Sequence, residues 1–206
     1  MMVCGVDEAG TGAWCGGFTV CAVLAPPDWT LPGLNDSKKL SPLKRAALYD
    51  QILESSPFVI SFLEWVSVEG LDREGVGRSR IMAFRRAIKR AMAVDAGARI
   101  IVDGDFQLYG IDHESYPKAD ATYPAVMAAS VVAKVERDRW METEADSLYP
   151  QYKIIDHKGY GTKAHQAALA EYGPSPIHRM SFGPVARAVK PVAALIPTDV
   201  EDTFDY

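Results

Sequence analysis

Apolar and polar positions alternate along the chain in blocks, first with the period of strands and then with that of helices. Residues 3–6 read as a short strand ending at Asp7-Glu8. Residues 18–24 read as a second, wholly apolar strand closed by Ala25-Pro26-Pro27-Asp28. Ser41-Pro42 opens a helix, with a capping hydroxyl and a proline at the first helical position, and Leu43, Ala47, Leu48 and Ile52 carry it onward. Residues 58–65 are rich in β-branched and aromatic side chains and predict a third strand. Residues 81–94 have helical spacing, with Ile81, Phe84, Ile88 and Met92 on one stripe and Arg85, Arg86, Lys89 and Arg90 beside it. Those four cations form either a second basic patch or an ordinary solvated helix face. Residues 99–102 predict a strand running into Asp103-Gly104-Asp105. Residues 125–148 predict a long helix, almost entirely apolar at its start, and residues 162–172 a further helix stopped by Gly173-Pro174. Strands come first and then alternate with helices, which is the order of an α/β domain with a mixed sheet.

Composition adds bounds. With 206 residues, 48% hydrophobic and 24% charged, the chain suits a single globular domain over residues 1–206. Its tail, from about residue 198, is acidic and expected to be mobile. No apolar run approaches the roughly 20 residues that span a bilayer. The opening Met1-Met2-Val3-Cys4-Gly5 lacks the charged and apolar regions of a secretory signal. Cys4, Cys15 and Cys21 are odd in number, match no zinc spacing and read as buried free thiols of a reducing compartment. A cytoplasmic location is expected. The net charge of −5 alone argues against nucleic acid as a partner. A carboxylate cluster offset by bound cations weakens that objection.

Asp7 and Glu8 follow an apolar strand and precede Ala9-Gly10-Thr11-Gly12. Asp103 follows Ile100-Ile101-Val102, and Asp120 stands just before the apolar helix. Carboxylates at neighbouring strand ends can converge on a hard divalent cation, although any one of them can equally end a turn or cap a helix. Asp105 is read as a turn residue. Adjacent strand residues point to opposite faces, so Asp7 and Glu8 can share one site only where the strand ends or bulges.

Several ordered segments resemble one family, ribonuclease HII. They are Val6-Asp7-Glu8-Ala9-Gly10, Asp36-Ser37-Lys38-Lys39-Leu40-Ser41, Val102-Asp103-Gly104, and Ala128-Ala129-Ser130-Val131-Val132-Ala133-Lys134-Val135 with Arg137-Asp138. Tyr149-Pro150-Gln151-Tyr152, Lys158-Gly159-Tyr160-Gly161-Thr162, His165, Gly173-Pro174, His178-Arg179 and Ser181-Phe182 complete the set, which covers roughly positions 3 to 185. A lone Asp-Glu pair means little, but this ordered set is specific. The resemblance implies a ribonuclease H-like fold: a five-stranded mixed sheet flanked by helices, with a small C-terminal helical part. It also implies that Asp7, Glu8, Asp103 and Asp120 are catalytic and hold two divalent ions, Mg²⁺ or Mn²⁺, about 4 Å apart around the scissile phosphate. The implied activity is endonucleolytic cleavage of the RNA strand of RNA/DNA hybrids, and cleavage 5′ of ribonucleotides embedded in duplex DNA. The products would carry 3′-hydroxyl and 5′-phosphate ends. The cellular sense would be ribonucleotide excision and primer removal.

The 2′-hydroxyl distinguishes RNA from DNA. The resemblance assigns its recognition to the Gly10-Thr11-Gly12 turn, with Tyr160 as a second sensor. Ser37, Lys38, Lys39, Lys134, Lys158 and Arg179 are candidate phosphate contacts. The chain departs from the family where Thr11 replaces the usual arginine and Ala13-Trp14-Cys15-Gly16-Gly17 replaces a Pro-x-Ala-Gly-Pro-like stretch. Gly-Thr-Gly is the form carried by the sister family, ribonuclease HIII, whose extra N-terminal domain this chain does not show. The alternatives are therefore a ribonuclease HIII-like preference for longer hybrids, or an inactive hybrid-binding module. The latter would be expected to lack a carboxylate, and all four are present. A monomer is expected, and sliding-clamp binding stays undecided.

Overall fold

The structure is a computed structural model that describes residues 1–105 and 107–189. The acidic tail expected from about residue 198 lies outside the described residues. Five strands, β1 (Val3–Ala9), β2 (Phe18–Ala25), β3 (Ile60–Val66), β4 (Arg99–Asp103) and β5 (Glu114–Tyr116), form one sheet in the order β3-β2-β1-β4-β5. The β1–β2 and β2–β3 pairs are antiparallel, and the β1–β4 and β4–β5 pairs are parallel. This is the expected mixed five-stranded sheet. The three-residue edge strand β5 is too short to give a periodic signal in the sequence.

Every residue of β2 is buried, because helices cover both faces of the sheet. Phe18, Val20, Ala22 and Leu24 face one layer, formed by α2 (Val68–Glu74) and α3 (Val76–Met92). Cys21, Val23 and Ala25 face the other, formed by α1 (Pro42–Glu54) and α4 (Pro124–Trp140). Strand alternation thus sorts one continuous apolar run into two cores. Ser41 caps α1 as expected, its Oγ accepting from Lys44 N at 3.3 Å. Helix α3 starts earlier than its apolar stripe predicts, and Ile81 is exposed. The buried face runs through Ala83, Phe84, Ala87, Ile88 and Ala91 instead. Arg86 and Arg90 reach Glu64 of β3 at 3.0 and 2.9 Å, so half of this basic face is ion-paired on its own sheet edge.

Small residues let α4 lie close on β1. A Cβ at Gly5 would stand 2.2 Å from the carbonyl carbon of Ala125, so only glycine fits beneath the helix start. Beyond Trp140 the helix passes through a π-helical turn, Met141–Ala145, into Asp146–Leu148, close to the single long helix expected. The C-terminal part adds a short helix, Ile154–His157, and α5 (Lys163–Tyr172). These pack around Cys15, Met141, Tyr152, Ile154, Leu169 and Val185. All three cysteines are buried free thiols, and burial pushes Cys4 and Cys15 up to about 12. Among the described residues, no helix is long and apolar enough to cross a membrane.

Candidate metal and nucleic-acid site

Asp7 and Asp103 sit on the parallel neighbours β1 and β4, near their C-terminal ends. Val6 pairs with Val102, so the two aspartates follow in register. Asp120 comes from a 3-10 turn, Ala119–Ala121, immediately before α4. Carboxylate oxygens of Asp7, Asp103 and Asp120 lie within 4.8 Å of one another. Burial, followed by the charges of Glu8 and Asp103, raises the Asp7 pKa well above the usual aspartate range. Burial, then the Asp103 and Asp36 carboxylates, pushes Asp120 up to about 6. Asp103 Oδ1 is buried and has no hydrogen-bond partner. A buried, donorless carboxylate oxygen among like charges is costly, and a hard divalent cation is the group that removes the cost.

Glu8 behaves differently. The β1–β2 register continues without interruption through Asp7, Glu8 and Ala9, opposite Cys21, Val20 and Thr19. The strand runs through the pair without a bulge, yet both acids line one cavity, and it is the distance of Glu8 from the aspartates that sets it apart. Glu8 therefore stands outside the group of three, and its Oε2 meets Arg80 Nη2 of α3 at 3.1 Å. Burial raises the Glu8 pKa against the opposing pull of Arg80.

A cavity is lined by Asp7, Glu8, Ala9, Gly10, Thr11, Gly12, Ser37, Lys38, Asp103, Lys134 and Tyr160. Most sequence-expected site residues thus meet at one place. Burial works against the Lys38 charge, but Asp7, Asp120, Asp36 and Asp103 outweigh it and raise its pKa. Lys134 Nζ pairs with Asp138 at 2.8 Å and lies 5.5 Å from the centroid of the Tyr160 ring. Ser37 is buried, with its hydroxyl accepting from Ser130 Oγ at 2.7 Å. Lys39 is exposed and lies outside the cavity lining.

One expected phosphate contact, Arg179, is corrected, and another, Lys158, lies outside the cavity lining. Arg179 is fully buried. Its guanidinium donates to the carbonyls of Gly16, Thr11 and Gly10, each at 2.8 Å, and of Gly17 at 3.0 Å. It shapes the glycine-rich turn from within. The Lys158 ammonium meets Glu142 at 3.0 Å and the Ile155 carbonyl, and Lys158 does not line the cavity.

Sequence reasoning found the turn but not its scaffold. Gly10 has φ +96°, and a Cβ there would stand 2.3 Å from Arg137 Nε. Arg137 is fully buried and donates to the carbonyls of Lys158, Cys15 and Gly17, with Tyr160 above it at 5.3 Å. Tyr160 is fixed in turn by His165, whose Nδ1 meets the Tyr160 carbonyl at 3.1 Å and whose Nε2 meets His178 Nε2 at 3.0 Å. Burial pushes both histidines down to about 4, so they pair as neutral rings. The only sequence signal for these supports was their place within the motifs.

The sequence profile of the ribonuclease HII family matches residues 4–185. Ribonuclease HII of Dichelobacter nodosus (strain VCS1703A) is 40% identical over 190 residues, 92% of this chain and 98% of that protein. The ribonuclease HII solved in the PCNA:RNase HII complex from Archaeoglobus fulgidus superposes with TM-score 0.69 at 28% identity, covering 88% of this chain and 95% of that one. The Mn²⁺ complex of Bst-RNase HIII shares the fold, with TM-score 0.74 at 18% identity over 91% of this chain and 69% of that one. An acidic floor under a glycine-rich turn, on this sheet and with this sequence match, has one reading: the chain belongs to the ribonuclease HII family.

Proposed function

We propose that this protein hydrolyses the RNA strand of RNA/DNA hybrids and cuts 5′ of ribonucleotides embedded in duplex DNA, leaving 3′-hydroxyl and 5′-phosphate ends. The observation that carries the reading is the convergence of Asp7, Asp103 and Asp120 within 4.8 Å, beside a cavity lined by Gly10-Thr11-Gly12 and Tyr160. Ribonucleases HII work with divalent metal ions, and the three aspartates, with Glu8 beside them, offer the oxygen donors that Mg²⁺ or Mn²⁺ prefers. When bound, such ions would lower the pKa of a water and neutralise charge on the leaving 3′ oxygen.

The chain's own residues divide the remaining work. Asp7 and Asp103 are fixed by paired strands, so donor atoms there need little reorganisation. Lys38 and Lys134 line the same cavity and offer charge-assisted contacts to a phosphate. The Gly10-Thr11-Gly12 backbone, braced from below by Arg179, reads the 2′-hydroxyl. The Tyr160 ring packs at the neighbouring sugar. Thr11 offers no guanidinium for a bidentate phosphate contact, so long hybrids are cut in preference to single embedded ribonucleotides. The test is cleavage of a uniform RNA/DNA hybrid with Mg²⁺. The wild type cuts, and Asp103→Asn loses at least about a hundredfold in rate. Undiminished cleavage by Asp103→Asn would refute the assignment.

A further inference from the structure

Three carboxylates converge and the fourth is held elsewhere. Glu8 Oε2 accepts from Arg80 Nη2 at 3.1 Å, and the two side chains are only 14% and 29% exposed. Arg80 stands in the early part of α3 with its guanidinium 5.4 Å from the Phe84 ring centroid, so packing as well as charge fixes it. Glu8 nevertheless lines the same cavity as Asp7 and Asp103. A cation thus already occupies the Glu8 side of the acidic floor. A divalent ion that takes Glu8 as a ligand must share a carboxylate whose Oε2 Arg80 already holds. At a part-buried site two positive charges a few ångströms apart repel. Among the described residues Asp7, Asp103 and Asp120 make no ion pair, and Lys38 acts on them through its charge.

We propose that Arg80 is a positioning residue that holds Glu8 and competes with a second divalent ion for it, so that two ions load with unequal affinity. The first enters at Asp7, Asp103 and Asp120. The second enters against the charge of Arg80 on Glu8. This rests on the carboxylates being the metal site, and the experiment separates the two claims.

Mn²⁺ binding to the full chain, followed calorimetrically and by loss of the free-ion electron paramagnetic resonance signal, is the readout. Arg80→Met keeps the apolar stem against Phe84 and removes the charge. It tightens the weaker Mn²⁺ site about tenfold, the order expected for release of a part-buried ion pair, and leaves the tighter site within about twofold. Arg80→Lys keeps the charge and stays within about threefold of wild type. In a Glu8→Gln background Arg80→Met has no effect, because nothing is left to release. A wild type that binds one ion while Arg80→Met binds two supports the proposal equally. An unchanged or weakened second site in Arg80→Met overturns it, as does a single ion bound alike by both. Asp103→Asn is the separate control: wild-type Mn²⁺ binding by that variant would instead overturn the metal-site reading itself.

Discussion

The guanidinium of Arg179 donates to the carbonyl oxygens of Gly10 and Thr11, each at 2.8 Å, across 169 and 168 residues of chain. With Gly16 and Gly17 also bound, one buried side chain closes the loop between β1 and β2. Arg179→Met strips these carbonyls of their donor. Unsatisfied buried acceptors and lost charge-assisted bonds cost about 3 kcal/mol or more. Urea unfolding measures it directly. Were Arg179 a phosphate contact instead, stability would be unchanged and the salt dependence of hybrid binding would flatten.

The same turn makes Gly10 irreplaceable. Its φ of +96° disfavours any side chain, and the Cβ position runs into Arg137 Nε at 2.3 Å. Gly10→Ala therefore displaces Arg137 or the turn and lowers hybrid cleavage at least about tenfold, with a loss of about 1–3 kcal/mol in stability. Near-normal kinetics in this variant would show that the turn does not need its observed shape.

Metal and pH act together on stability. In the metal-free protein the folded-state pKa values of Asp7 and Asp120 are raised, the latter to about 6. The folded state then holds protons more tightly than the unfolded chain, so these groups favour folding fully below the unfolded aspartate range. That contribution is lost as pH rises through about 6. The metal-free melting temperature should fall over this window, and added Mn²⁺ should raise it more at pH 7 than at pH 5. Asp120→Asn should raise the metal-free melting temperature at pH 7 by about 2–4 °C, while it abolishes cleavage. Melting temperatures with and without Mn²⁺ that move in parallel across the window would contradict this.

The proposed substrate preference turns on Thr11. Its backbone is held by Arg179, while the side chain has no hydrogen bond that constrains replacement among those described. Thr11→Arg should raise cleavage at a single embedded ribonucleotide relative to a long hybrid by about tenfold, the worth of one charge-assisted phosphate contact. An unchanged ratio between the two substrates would remove Thr11 from the specificity argument.

The acidic floor was legible because strand ends, acids and glycine-rich turns follow one another in the sequence. The split of Asp7 from Glu8 was legible only as a condition, since period-2 alternation says where adjacent side chains point but not whether the strand continues. Arg80 and Arg179 were misread or missed for one physical reason. A charged residue is ordinarily exposed, and only the fold reveals that backbone carbonyls or a carboxylate surround it. Helix α2 escaped notice because Val68 and Leu71 alone are buried in it, too few for a period. Arg137 reads in the sequence only as part of a motif with Asp138, whereas it lies under Tyr160.

The most direct measurement is to map the cut, with Mg²⁺, in an end-labelled DNA duplex containing one ribonucleotide, beside a uniform RNA/DNA hybrid. Cleavage of both, with the duplex cut on the 5′ side of the ribonucleotide to leave a 3′-hydroxyl and the hybrid cut faster, is the expected result. Failure to cut either substrate with Mg²⁺ or Mn²⁺, while the protein is folded, would contradict the assignment of this acidic floor to hybrid cleavage.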